Sequence, residues 1–273
     1  MKTVDAVAPA KVNLTLHVTG QRGDGYHELD SLVVFAASGD RLKIQPADAL
    51  SLEVTGPMAA GVPRDSRNIV WKAAEAAGVR ASITLDKRLP NAAGLGGGSA
   101  DAAALLRVAD QVGGHVPADV LALGADVPVC LNVMSQHMQG IGEILRPVRL
   151  PAAHLVLVNP GVEVPTGAVF EALDRRDNAP MSAIPETTSF QEFARWLRLQ
   201  RNDLQTSAIG IAPVIQRVLN MMQSAPVARM TGSGATCFAL MQSASAAQSL
   251  ARHLKHWEPD WWVTAAPIME ASI

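Results

Sequence analysis

The segment Leu89-Pro90-Asn91-Ala92-Ala93-Gly94-Leu95-Gly96-Gly97-Gly98-Ser99-Ala100-Asp101 has the composition of an anion cradle. Glycines take positive φ at little cost and let a backbone approach a ligand closely. The alanine- and leucine-rich run that follows is expected to be a helix, whose first turn offers unpaired N–H groups and the positive end of the helix dipole. A phosphate is the ligand such an arrangement favours. Ser99 is expected as the N-cap and Asp101 as a first-turn carboxylate. Two further groups carry chemistry. Lys11 and Asn13 sit on the polar side of an alternating stretch, and Asp126 stands in the apolar surroundings of Leu123-Gly124-Ala125-Asp126-Val127-Pro128-Val129. A carboxylate placed there is costly unless something pairs or uses it.

Two familiar phosphate signatures do not fit. The Walker loop needs a lysine directly before its Ser or Thr, and no lysine precedes Ser99. The dinucleotide fingerprint needs a third glycine where Ser99 stands and an acidic residue closing a strand about 20 residues on, where this chain has a proline-interrupted segment. A plain surface loop is the alternative for the glycine cluster. A second cluster, Met230-Thr231-Gly232-Ser233-Gly234-Ala235-Thr236, joins two expected strands. It is either a hairpin turn without a function or a second loop over the same nucleotide or its acceptor.

The composition narrows the partners. With 273 residues, 23 Lys+Arg against 25 Asp+Glu and a net charge of −2, the chain has a sizeable core and no basic stripe for a nucleic acid. Two domains and a small-molecule partner are expected. Cys130 and Cys237 each lie in an apolar run, which suits buried thiols in a reducing compartment. The first residues lack a signal-peptide core and no uncharged stretch is long enough to span a bilayer, so a cytoplasmic location is expected.

The elements that must hold these groups follow from period and punctuation. Val12, Leu14, Leu16 and Val18 alternate with polar residues, the pattern of a half-buried strand that turns Lys11 and Asn13 to its other face. Gly23-Asp24-Gly25 makes a tight turn that presents Tyr26 and His27. Strands are expected at Leu32–Ala36, Arg41–Gln45, Leu50–Val54 and Ser82–Leu85, and a helix from Asn68 to Ala77 stopped by Gly78. The pattern resets near Arg146–Pro151. Beyond it come a strand at His154–Asn159, helices at Thr166–Arg176, Ser189–Leu199 and Ile209–Met222, strands at Val227–Thr231 and Thr236–Met241, a helix at Ser243–Leu254 and a strand at Trp262–Ala266. Asp177–Thr188, broken by Pro180 and Pro185, is expected to be a flexible connection.

Taken together, Pro9-Ala10-Lys11-Val12-Asn13-Leu14, the Pro90–Ser99 loop and the Thr231–Ala235 loop resemble, in that order, the three motifs of the small-molecule kinases that include galactokinase, homoserine kinase and mevalonate kinase. Gln21-Arg22-Gly23-Asp24-Gly25-Tyr26-His27, Leu95–Ser99, Leu123–Pro128 and Gly140-Ile141-Gly142-Glu143 are similar to the branch of that family whose acceptor is a CDP-linked methylerythritol. The likeness covers nearly the whole chain. It is thin between about Arg175 and Pro226.

The resemblance implies transfer of the ATP γ-phosphate to the 2-hydroxyl of the methylerythritol part, within the non-mevalonate route to isoprenoid precursors. It implies Asp126 as general base with Lys11 as its electrostatic partner. Pro90, Gly94, Leu95, Gly96, Gly97, Gly98 and Ser99 would cradle the ATP phosphates, Asn13 would align the acceptor, and Tyr26 and His27 would recognise the cytidine. ATP and Mg2+ are the implied cofactors. Against these roles stand the structural alternatives of a simple Lys11–Asp126 ion pair and of ordinary turn residues at Tyr26 and His27. Ala100 departs from the family pattern, which has a second serine there, and the metal ligands are unassigned. Phe190, Phe193 and Trp196 are the candidates for an aromatic against the cytosine. The implied fold is α+β in two domains, a ribosomal-S5-domain-2-like mixed sheet with helices over 1–150 and a ferredoxin-like layer over 151–273, with the site in the cleft between. A kinase of the same family with another acceptor, or a nucleotide-binding protein without catalysis, is the alternative reading.

Overall fold

The computed structural model describes residues 2–269. Its contacts group into two compact units, each drawn from several stretches of chain. One takes the chain through Lys11, Gly39–Asn91 and Gly96–Val133; the other takes Val12–Ser38, Ala92–Leu95 and the chain from Met134 on.

In the first unit, the end of the long strand β3 (His27–Pro46) pairs antiparallel with β5 (Ala81–Asp86), and β5 pairs in parallel with β4 (Ser51–Thr55). Strand β1 (Val4–Asn13) also pairs with β3. Helix α1 (Ile69–Ala76) starts on Asn68, whose side chain accepts the Val70 N–H, and stops before Gly78 at φ +67°, as its punctuation predicts. It packs on α2 (Gly97–Leu106), which in turn packs on the short α3 (Val127–Leu131). All α2 residues from Ala100 to Leu106 are buried. A helix so enclosed is apolar except where a polar group is paired, as Asp101 is with Lys87, and its alanines let neighbours approach closely.

Strand β3 is continuous where two strands were expected. Gly39 stays within it because a Cβ there would lie 2.0 Å from the Ala8 carbonyl oxygen, so this point of the strand accepts no side chain. The stretch from Lys11 to Val18 also differs from expectation, since it is buried on both faces. Its polar members are tolerated because they are bonded: Thr15 Oγ1 accepts the Leu32 N–H at 2.7 Å, and His17 Nε2 accepts the Arg201 N–H at 3.1 Å.

The second unit contains an antiparallel sheet in the order β11-β8-β10-β9, where β8 is His154–Asn159, β9 Val227–Met230, β10 Cys237–Met241 and β11 Trp262–Pro267. Register places Val158 between Cys237 and Val263. Helices α4 (Thr166–Glu171), α5 (Phe190–Arg198), α6 (Gln205–Ile211) and α7 (Val214–Met221) lie between β8 and β9, and α8 (Ala244–Trp257) between β10 and β11. This is the ferredoxin-like order, with extra helices in the first crossover. Val156, Val158, Ile215, Val218, Ala239 and Leu254 belong to its core. The helix expected over Ile209–Met222 is two helices, because Pro213 lacks an N–H and its ring blocks the preceding turn.

Elsewhere in this unit β2 (His17–Gln21) and β6 (Gln136–Gly140) pair with the first part of β3, and β6 forms a hairpin with β7 (Ile144–Pro147). That hairpin is too polar to stand out by period. The segment 177–188 is irregular but not loose. Met181 N donates to Asp30 Oδ2 at 2.8 Å, Asn178 N to the Val18 carbonyl at 3.0 Å, and Trp196 Nε1 to Ser182 Oγ at 2.9 Å. Hydrogen bonding replaces the flexibility expected from its prolines. No described helix is long and apolar enough to cross a membrane.

Candidate active site

Helix α2 begins at Gly97, with Gly96 as its N-cap in the left-handed region at φ +60°. Ser99 is therefore inside the first turn rather than the cap, and Asp101 lies beyond that turn. That left-handed φ favours glycine, and a Cβ on Gly96 would also crowd the Lys11 stem, at 3.1 Å from Lys11 Cε. Ala100 N bonds back to the Gly96 carbonyl at 2.8 Å, leaving the amides of Gly97, Gly98 and Ser99 at the open end of the helix. Gly98 is exposed, Gly97 and Ser99 are half-buried, and Leu95 is buried.

Lys11 Nζ donates to Asp126 Oδ1 at 2.9 Å. The lysine is buried, whereas the aspartate side chain is 37% exposed. Asp126 stands at the N-cap position of α3 but makes no capping bond with its side chain, so the carboxylate is left to Lys11 and to solvent. An ammonium fixed against a partly open carboxylate can orient it and offset charge growing on a nearby oxygen.

A second lysine was not legible as part of any site. Lys87 Nζ donates to Asp40 Oδ2 and to Asp101 Oδ2, the latter at 2.8 Å, and all three side chains are sealed from solvent. Their positions in sequence are far apart and each alone has the look of a surface polar residue.

In the second unit, Asn13 Nδ2 donates to Ser31 Oγ at 2.8 Å and Asn13 N to Thr231 Oγ1 at 2.8 Å, while Asn13 Oδ1 is buried without a partner. Tyr26 is 57% exposed on a turn closed by Arg22 N bonding to the Tyr26 carbonyl at 2.7 Å. His27 stacks on Phe170 with ring centroids 4.6 Å apart and planes 26° apart, and its Nε2 is likewise buried and unpartnered. Burial, with a smaller contribution from Arg176, holds its pKa below the usual imidazole value. A neutral imidazole with an unused ring nitrogen fits a base edge better than it fits an anion. Phe170 is the aromatic the structure brings to His27. The expected candidates lie otherwise: Phe190 and Phe193 are buried, and Trp196 stacks on Phe193 at 5.7 Å.

The two glycine clusters meet within this unit. A Cβ on Gly94 would fall 2.5 Å from the Thr231 carbonyl oxygen, and one on Gly232 would fall 2.7 Å from the Gly94 carbonyl oxygen. Asn202 Nδ2 donates to the carbonyls of Met230 and Gly232, both at 2.9 Å, and Thr166 and Ser233 join through their hydroxyls at 2.9 Å. The second cluster is thus a hairpin turn that also braces the first. Asn202 had no sequence signal. Among the described residues no three His, Cys, Asp or Glu side chains form a metal cage.

Residues 68–139 match the family described as GHMP kinases N terminal domain, and residues 180–259 match GHMP kinases C terminal. Fold and motifs together define the class of GHMP kinases. A solved mevalonate kinase from L. major shares the fold, with a TM-score of 0.67 at 15% identity over 99% of this chain and 98% of that one. A 4-diphosphocytidyl-2-C-methyl-D-erythritol kinase from Jannaschia sp. (strain CCS1) is 56% identical over 98% of this chain and 99% of its own length. That from Dinoroseobacter shibae is 55% identical over 96% and 94%. A crystal structure of 4-(cytidine 5'-diphospho)-2C-methyl-D-erythritol kinase superimposes with a TM-score of 0.78 at 34% identity, covering 97% of this chain and 99% of the other. The chain belongs to the 4-diphosphocytidyl-2-C-methyl-D-erythritol kinase family.

Proposed function

We propose that this chain is an ATP-dependent kinase that phosphorylates the 2-hydroxyl of 4-diphosphocytidyl-2-C-methyl-D-erythritol, a step of the non-mevalonate route to isoprenoid precursors. The observation that carries the mechanism is the Lys11–Asp126 pair at 2.9 Å with its carboxylate partly open. Asp126 accepts the hydroxyl proton as the oxygen attacks the γ-phosphorus, the bond from that phosphorus to the β-phosphate bridging oxygen breaks, and ADP leaves. Lys11 holds the Asp126 carboxylate in place and offsets charge on the transferred group.

Gly96, Gly97, Gly98 and Ser99 present the open helix amides to the triphosphate, and Pro90, Gly94 and Leu95 hold the segment in place. Mg2+, brought in on the phosphates, would neutralise their charge. Asn13 aligns the acceptor through the carbonyl oxygen that has no partner. Tyr26 packs on the cytosine face and His27 bonds to its edge, with Phe170 behind the imidazole. In this reading 1–150 carries the ATP-binding and catalytic groups and 151–273 completes the kinase. The two free buried thiols, Cys130 and Cys237, suit a cytoplasmic location.

The test is a transfer assay with magnesium and ATP, offering the CDP-linked methylerythritol, mevalonate, homoserine and galactose separately. Product is expected from the first alone. Turnover of another acceptor in its place would overturn the cytidine roles of Tyr26 and His27, and turnover of none would overturn the kinase reading.

A further inference from the structure

The sealed Lys87–Asp40–Asp101 cluster takes no part in the reaction as described, yet its members bracket the glycine segment. Lys87 follows β5 and opens the loop that leads to it. Asp40 Oδ1 accepts the backbone amides of Arg88 at 2.5 Å and Leu89 at 2.8 Å, the first residues of that loop, while its Oδ2 faces Lys87. Asp101 belongs to α2, the helix that leaves the loop, and bonds to the same ammonium at 2.8 Å. One ammonium therefore ties the entry and the exit of the segment together, and it does so directly under the helix start: a Cβ on Gly97 would lie 3.6 Å from Lys87 Nζ.

We propose that Lys87, through Asp40 and Asp101, is a positioning residue for ATP, fixing both ends of the 88–97 segment so that its amides are already arranged when the triphosphate arrives. The inference rests on the reading of this segment as the phosphate cradle. A glycine-rich segment left to itself has many backbone conformations, and ordering it on binding subtracts from affinity. Fixing its ends beforehand removes that cost. The chemistry of the cluster agrees with such a role. Burial works against the ammonium, but the two carboxylates outweigh it and hold Lys87 above the ordinary lysine value. Burial also pushes the Asp101 carboxyl well above the usual carboxylate range, against the pull of Lys87, and its Oδ1 has no partner.

The experiment measures Mg-ATP affinity by calorimetry and the steady-state constants for both substrates, well below the melting temperature of each variant. In Lys87→Met and Asp101→Ala, Kd and KM for ATP are expected to rise by about tenfold or more, while KM for the acceptor and kcat change by less than about threefold. Asp101→Ala keeps the Lys87–Asp40 pair and so decides the matter should Lys87→Met fail to fold. Asp101→Asn keeps an acceptor oxygen towards Lys87 and is expected to return ATP affinity to within about threefold of wild type. A group that only supports the fold would lower the melting temperature and leave the ATP constants alone, and that result would overturn the proposal. Gly97→Val separates the two layers. If it abolishes ATP binding while Asp101→Ala changes nothing, the positioning role alone fails; if it leaves ATP binding intact, the cradle reading fails.

Discussion

Two lysine–aspartate clusters lie in the same unit and differ in one respect. Around Lys87 every carboxylate is sealed, and both Asp40 oxygens are committed to the protein. Around Lys11 the ammonium is buried but the Asp126 carboxylate is 37% exposed. A sealed carboxylate cannot meet a substrate hydroxyl, and a half-open one can. Ion pairing alone therefore does not mark a catalytic group. In the proposed mechanism, access to one partner with the other partner locked is what separates the two clusters.

The largest effect expected from this contrast is on turnover. Asp126→Asn should lower kcat by roughly 10²–10⁴-fold, the range for loss of a general base, with little change in ATP affinity. Turnover near that of the wild type would remove Asp126 as the base and erase the distinction between the clusters.

Stability should show the reverse order. Removing one partner from a sealed cluster leaves buried charge uncompensated, so Lys87→Met should lose about 3–5 kcal/mol in urea unfolding. Lys11→Met leaves behind a carboxylate that water already reaches, and a loss of about 1 kcal/mol or less is expected. Equal losses from the two variants would break the comparison.

The smallest effect concerns pH. Asp101 has its folded pKa raised above the unfolded value of about 3.9, so the folded state favours the protonated form. Its contribution is fully present below about pH 4 and declines as pH rises through the folded pKa. Unfolding free energies of the wild type and Asp101→Asn, followed upward from pH 4, should diverge in favour of the variant. Parallel curves would show that Asp101 is ionised in the folded protein.

Much of this was legible because the relevant signals are local. The glycine segment, the apolar setting of Asp126, the Asn68 cap and the four strands of the ferredoxin-like sheet all declare themselves within a few residues. Lys11 and Asn13 were expected on the polar face of a half-buried strand running on to Val18; instead they end β1 at Asn13, and the whole stretch from Lys11 to Val18 is buried. What stayed hidden depends on contacts far apart in sequence. Helix α2 starts at Gly97 after a left-handed Gly96 with no side-chain cap, and the Lys11 stem, 85 residues earlier in the chain, lies against that turn. The stack of His27 on Phe170 joins residues more than a hundred apart, and no spacing rule picks Phe170 from the other aromatics. The union of Asp40, Lys87 and Asp101 needs the sheet, the loop and the helix to exist before it has any meaning.

The contact between the two glycine clusters bears on which sequences remain open to this fold. At Gly94 the space for a methyl group is filled by the peptides of Thr231 and Gly234, and at Gly232 by that of Gly94 itself. Crowding between side chains is commonly relieved by shrinking the neighbour. Here the neighbour is main chain, which every residue shares, so no second-site change in the opposite loop can make room. The two positions are tied to one another without being able to compensate each other. A drifting sequence would have to keep both glycines or rebuild both turns at once.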